Sequence, residues 1–264
     1  PIYGFLASFT SDGFTLGNGS SSNIWVNQSS DSFVGWAWDA GSSTVSNTDG
    51  SITSQVRANA SAGFSIVSYT GNTTTGSTIG HGLSAQPAMV IIKNRSTSGY
   101  DWKVIHEGLT GTMGTYMIQL NQQDAESAAS ASWFNSTSPT STVFSVGTLS
   151  AVNGSGETYV AYCFAPVEGY SAMGSYTGNG STDGPFVYLG FRPAFLLIRL
   201  IEGASSSWKL YDSSRDSDNP VVTQLYANND NGEPADDVRC DLLSNGFKVR
   251  TAGSEDNYNN NTLI

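Results

Sequence analysis

Pro87-Ala88-Met89-Val90-Ile91-Ile92 returns 106 residues later as Pro193-Ala194-Phe195-Leu196-Leu197-Ile198. Each copy is a short, continuously apolar run behind a Pro-Ala pair. That pattern predicts a central strand covered on both faces. Other matches keep the same order. Ser68-Tyr69-Thr70-Gly71-Asn72 returns as Ser175-Tyr176-Thr177-Gly178-Asn179, Trp102-Lys103-Val104 as Trp208-Lys209-Leu210, and Phe144-Ser145-Val146-Gly147-Thr148 as Phe247-Lys248-Val249-Arg250-Thr251, at offsets of 107, 106 and 103. Ordered matches at one near-constant spacing mark an internal repeat.

A partial copy stands in front. Ser11-Asp12-Gly13-Phe14-Thr15-Leu16 resembles Ser244-Asn245-Gly246-Phe247-Lys248-Val249, and Asp31-Ser32-Phe33-Val34-Gly35-Trp36-Ala37-Trp38 resembles Glu157–Phe164. The expected organisation follows. Residues 1–48 are closing strands of a preceding repeat or a donor segment, and 49–63 a linker. Residues 64–170 are one β-sandwich repeat, and 171–264 a second that lacks its expected last strand, because Thr262-Leu263-Ile264 stands where that strand should begin. A sandwich without its last strand has an open edge. Either the chain continues, or a segment such as 31–38 fills the gap in another unit or subunit, as donor strands do.

Within the first copy Phe64–Tyr69 alternates, broken only by Val67, and Trp102–Ile105, Tyr116–Leu120, Val143–Val146 and Tyr159–Phe164 are further strand candidates. Gly-Asn, Asn-Gly and Ser-Gly turns punctuate them. Gln122–Ser132 is the one stretch compatible with helix. The expected fold is all-β: tandem antiparallel β-sandwich, jelly-roll-like repeats with short turns and little helix.

Charged residues are 12% of the 264, about half the usual share, and the formal net charge is -11. The polar surface therefore comes from Ser, Thr, Asn and Gly, which are weak helix formers. An acidic surface repels phosphate, so nucleic acid is not an expected partner. No apolar run approaches the roughly 20 residues of a membrane span, so no membrane insertion is expected. Cys163 lies in an apolar strand-like run and Cys240 precedes Asp241-Leu242-Leu243. Both are expected to be buried thiols, with a disulfide the alternative.

Candidate chemistry is sparse. The two histidines, His81 and His106, have no HxH or HExxH spacing, so neither metal nor cofactor is expected. His106 aligns with Asp212, which suits an exposed strand end better than a catalytic base. Gly17-Asn18-Gly19-Ser20 and Asn153-Gly154-Ser155-Gly156 do not fit a nucleophile elbow and are read as turns. The acidic loops Asp216–Asn219 and Asn228–Glu233 lack spaced calcium ligands and are expected to be hydrated surface. No catalytic constellation emerges, and the chain is expected not to be an enzyme. Trp102 and Trp208 recur at one repeat position and mark scaffold. Trp133, Tyr226 and Tyr258 fall in unmatched polar surroundings and are the candidate ligand-binding residues, since loops on a rigid scaffold carry binding.

Gly80–Arg95 and Ser175–Val187 resemble a repeat of structural proteins of tailed phages, especially marine and cyanobacterial ones, over about Gly63 to the end. The resemblance implies a virion or tail-fibre-like protein and supplies no catalytic residues. It points to a tail-fibre or spike module on the virion surface that self-associates as a homo-oligomer or virion assembly, with a host-surface glycan or protein as ligand. The alternatives are a purely architectural subunit (a head decoration or an extracellular or cell-surface filament protein) and a glycan-cleaving spike.

Overall fold

The computed structural model describes residues 3–20, 26–203, 206–234, 237–252 and 255–264. It is all-β and antiparallel, and it divides into two compact units, Pro1–Trp38 and Asp39–Ile264.

In the first unit, β1 (Phe5–Phe9) and β2 (Phe14–Gly17) pair as an antiparallel hairpin. Nearly all of its strand residues are exposed, and Phe9 keeps 80% of its surface open to solvent. Residues 31–38, expected to resemble a closing strand, form no strand. The reason is pairing: a strand exists only where a neighbouring edge takes up its N–H and C=O groups. Within the front segment, residues 1–2 and 21–25 lie outside the described residues.

The second unit begins with β3 (Val45–Asn47), β4 (Ser54–Asn59), β5 (Phe64–Thr70), β6 (Ser77–Gly80), β7 (Met89–Asn94), β8 (Lys103–His106), β9 (Tyr116–Gln119), β10 (Ser127–Ala128), β11 (Val143–Val146) and β12 (Thr158–Phe164), with one-turn helices α1 (Ala131–Phe134) and α2 (Ser150–Asn153). Eight of these strands make one sheet in the order β10-β9-β8-β7-β12-β5-β4-β3, and β6 pairs with β11 separately. The linker expected over 49–63 is therefore corrected: it contains β4, a full member of the sheet. Its inward residues are Ser54, Val56 and Ala58, too small and mixed to stand out as an apolar alternation.

Strand phase is also corrected in β5. Val67, the break in the apparent alternation, faces the core with Ser65 and Tyr69, while Ile66 and Ser68 are only half-buried on the other face. Sheet geometry flips every side chain for a one-residue change of phase, so the apolar content of both faces misleads. Phe64 is buried by packing on Phe164, with ring centres 4.8 Å apart. The helix-compatible stretch 122–132 yields β10 and the start of α1 rather than a longer helix.

The remaining strands are β13 (Tyr176–Thr177), β14 (Phe186–Tyr188), β15 (Phe195–Ile198), β16 (Lys209–Asp212), β17 (Leu225–Tyr226), β18 (Cys240–Leu243), β19 (Gly246–Val249) and β20 (Thr262–Leu263). Their pairings parallel the first set. Thr158 and Tyr159 face Thr70 and Tyr69, and Thr262 and Leu263 face Thr177 and Tyr176. Phe144 faces Ile79 as Phe247 faces Val187. Thr262–Leu263 is thus a paired strand at the place where the closing strand was expected to begin, and Arg199 and Ile264 exchange two 2.9 Å backbone hydrogen bonds beside it. The difference between copies lies in β7 and β15. β7 is central, between β8 and β12, whereas among the described residues β15 pairs along its length only with β16.

One core lies between the eight-stranded sheet and the β6–β11 pair, around Val67, Ile79, Ile92, Phe144 and Tyr159. Another gathers Leu196, Tyr211, Leu242, Phe247 and Leu263. A third joins the two copies: Ile91, Val104 and Ile118 on the reverse face of the large sheet meet Ile201, Trp208 and Ile264. β7 is consequently apolar on both faces because each face has its own core.

The most specific parallel between copies is polar. Asn153 and Asn257 have no exposed surface. Asn153 accepts the Asn72 N–H at 2.9 Å and donates to the carbonyls of Gly147 and Thr74 at 2.6 and 3.2 Å. Asn257 accepts the Asn179 N–H at 2.8 Å and donates to the carbonyls of Thr251 and Ser181, both at 2.8 Å. Tyr69 and Tyr176 complete each bracket by donating to Val152 and Asp256 carbonyls, at 2.7 and 2.8 Å. Gly71 and Gly178 leave room for it. A Cβ on either would stand 2.3 or 2.2 Å from the carbonyl oxygen of Gly154 or Tyr258. Replacing Asn153 or Asn257 with Ala strands several buried partners, so each change is expected to lower stability in urea titration by ~2–4 kcal/mol, with unchanged secondary structure below the transition.

Candidate functional site

Trp133 is the one predicted ligand residue that the fold sets beside other functional groups. It sits on α1, half-buried, with one side against the first core. It lines an open hollow of about 370 Å³ with Tyr100, Asp101, Lys103, Leu149 and Ser150. Lys103 reaches this point from β8. Its ammonium is 4.9 Å from the centre of the Trp133 ring system, 2.9 Å from Gln119 Oε1 and 3.3 Å from Asp101 Oδ2. Cation–ring contact and the charge partner together make burial of the lysine tolerable.

Asp101 is fixed by its other oxygen, which accepts from the Asn121 and Gln122 amides at 3.0 and 2.9 Å. Partial burial pushes its pKa up, but the Gln122 and Asn121 hydrogen bonds and the Lys103 charge outweigh that and hold the carboxyl below its usual range. The hollow therefore offers an aromatic ring, an ionised carboxylate, an ammonium and the Ser150 hydroxyl. This combination suits a polyhydroxylated ligand that stacks an apolar face and hydrogen-bonds at its rim.

Tyr226 and Tyr258 do not line this hollow. Tyr226 lies on β17 opposite Lys209, and its hydroxyl accepts from Gln224 Nε2 at 2.6 Å. Tyr258 is 43% exposed in the turn before β20, where its main chain packs on Gly178. Sequence reasoning missed Tyr100, Asp101, Lys103 and Ser150. The recurrence of Trp-Lys at 102–103 and 208–209 was the available signal, since a lysine repeated at a core position needs a partner.

Lys209 occupies in β16 the place of Lys103 in β8, yet its surroundings differ. Its ammonium is 2.9 Å from Asp256 Oδ2 and 3.9 Å from Glu255 Oε2. Asp256 and Glu255 stand where the first copy has Val152 and Ala151, immediately before the bracket asparagines.

A model of the family described as "Domain of unknown function (DUF7483)" matches residues 3–264. The chain belongs to that family. No curated protein and no solved structure matches it. The DUF7483 match spans the front unit and both copies.

The remaining candidate groups are taken up by turns and core. His106 and Asp212 were expected at an exposed strand end, but both are buried. Each accepts a backbone N–H from two residues on: Gly108 to His106 Nδ1 at 2.9 Å, and Ser214 to Asp212 Oδ1 at 3.0 Å. One acceptor position explains why two such different residues align. His81 accepts from Leu83 N–H at Nδ1, so its Nε2–H donates to the Thr140 carbonyl at 3.1 Å. In the acidic loop 216–219, Asp216 Oδ2 accepts from the Val222 and Thr223 backbone, while Ser217, Asp218 and Asn219 are exposed. In the other, Glu233 pairs with Arg215. Cys163 and Cys240 are buried free thiols, and burial pushes Cys163 up to about 12. Among the described residues no three His, Cys, Asp or Glu side chains converge as metal ligands would, and no helix is long and apolar enough to cross a membrane.

Burial lowers His106 from 6.5 to about 4, and lowers His81 as well. The folded chain binds these protons less readily than the unfolded one. Their contribution is therefore complete above the unfolded value and is lost as pH falls from about 6.5 toward 4. The unfolding free energy from urea titration should drop over that window, by on the order of 3 kcal/mol for His106 alone. In the DUF7483 chain carrying His106→Asn, which keeps an acceptor for Gly108, the slope should become shallower, with His81 and the burial-raised Glu107 accounting for what remains.

Proposed function

We propose that the chain is a non-catalytic structural module of a virion surface, of tail-fibre or spike type, that presents a glycan-binding hollow on a β scaffold. The observation that carries the binding part is the Trp133–Lys103–Asp101 arrangement. A ring with a buried cation on it sits beside an ionised carboxylate in an open hollow. The virion assignment rests on the resemblance of Gly80–Arg95 and Ser175–Val187 to tailed-phage structural repeats. A saccharide stacked on Trp133 would place hydroxyls toward Asp101 and Ser150.

A purely architectural reading is favoured by a separate observation. In the Pro1–Trp38 unit, Phe5, Leu6, Phe9, Phe14, Phe33 and Trp38 are all exposed. A two-stranded hairpin is marginal alone in water, and so much exposed aromatic surface suits contact with another chain. In this reading the front unit drives self-association, and the hollow is incidental.

Two measurements separate the readings. On a glycan array of host-surface polysaccharides, Trp133→Ala should reduce binding at least tenfold, while Tyr226→Ala and Tyr258→Ala leave it within about twofold, a loss of at least ~1.4 kcal/mol for the stacked ring. Absence of binding by the unaltered chain across the array would end the adsorption reading. Removal of residues 1–38 should convert an assembled species into a monomer in analytical ultracentrifugation if the front unit is the assembly element.

A further inference from the structure

We infer that Lys209 and Asp256 condense into an intramolecular amide, with Glu255 carrying the proton between them. Lys209 and Asp256 are both buried, with only 6% and 3% of their side chains exposed, and their reacting groups are 2.9 Å apart. Glu255 Oε2 is 3.9 Å from the same nitrogen and is oriented by the Ser207 N–H at 3.0 Å. The Tyr211 hydroxyl, itself buried, lies 3.1 Å from Asp256 Oδ2.

The chemistry follows from this placement. One proton transfer along the 2.9 Å contact converts the ammonium–carboxylate pair into an amine and a carboxylic acid. A neutral amine is a nucleophile, and fixed contact replaces a bimolecular encounter with a high effective concentration. The Lys209 nitrogen lone pair attacks Asp256 Cγ and forms a C–N bond. Glu255 takes a proton from the nitrogen and returns it to the departing oxygen. Tyr211 hydrogen-bonds the oxygen on which charge develops. The C–O bond breaks and one water leaves, so an ammonium and a carboxylate become an amide and water with no oxidant or cofactor. The product ties β16 to the turn that leads into β20.

The first copy supplies an internal comparison. Lys103 has the equivalent strand position, but the turn residues there are Ala151 and Val152, which carry no carboxylate. Its own partner, Asp101, is 29% exposed and bound by two amides. One linkage is therefore expected per chain, at Lys209 only.

Intact-mass spectrometry of the purified full chain under denaturing conditions reads the result directly. The expected mass is lower than that of the sequence by one water, and a tryptic digest should yield a branched peptide joining Lys209 to Asp256, with no cleavage after Lys209. A folded chain with the full sequence mass overturns the inference. Lys209→Met and Asp256→Ala should each restore the full mass. Because either could impair folding, Glu255→Gln is the second variant. Folded by near-ultraviolet circular dichroism, it should keep the full mass or lose water at least tenfold more slowly. Bond formation at the unaltered rate would overturn the role of Glu255.

Discussion

Asn153 and Asn257 sit without accessible surface where a chain reversal closes each copy, and each links three otherwise separate backbone segments through one carboxamide. A carboxamide is suited to this because it donates and accepts from one small planar group. Buried backbone groups need partners, and in a fold made of short strands and long connections many of them lie outside the ladders. The bracket supplies those partners on both sides of the turn. It also fixes the start of β12 and β20, the strands that pair with β5 and β13. Gly71 and Gly178 belong to the same device, since no side chain fits between the two main chains there.

The apolar counterpart of this constraint is the contact between copies. Trp208 packs among Ile91, Val104 and Ile118, and its indole N–H donates to the Gln119 carbonyl at 2.8 Å. Arg199 donates to the Asp124 carbonyl at 2.6 Å while its guanidinium lies 6.0 Å from the Trp208 ring system. In the first copy Lys93 stands 5.9 Å from the Trp102 ring system. The cation–ring pairing is thus common to both copies, but Trp208 is buried within the contact between them whereas Trp102 packs partly buried against it. Equal local chemistry has been given different tertiary use. The same is true of the two lysines: Lys103 opens onto a hollow, and Lys209 is closed over by carboxylates.

Much of the fold was legible because strand cores repeat visibly. Met89–Ile92, Val143–Val146 and Thr158–Phe164 were recoverable within a residue or two from apolar runs and turn residues. β4 was not, because Ser54, Val56 and Ala58 make too weak an apolar face to distinguish from a linker. The second closing strand was legible only as a position, from the repeat spacing, because Thr262-Leu263-Ile264 shares little with Thr158-Tyr159-Val160 beyond its register. Of the candidate site, Trp133 could be named from its polar surroundings. Its partners could not, since Tyr100 and Lys103 come from one segment and Ser150 from another, both distant from Trp133 in sequence, and only folding brings them together.

The sequence by itself determined the all-β class of the fold and the positions of its most apolar strands, because periodicity and turn chemistry are local properties of a chain. The tertiary structure alone decided which asparagines close the turns, which face of β5 meets the core, and which lysine faces a ring or a carboxylate. Those outcomes depend on groups far apart in sequence competing for one buried space, and no local pattern records which of them will occupy it.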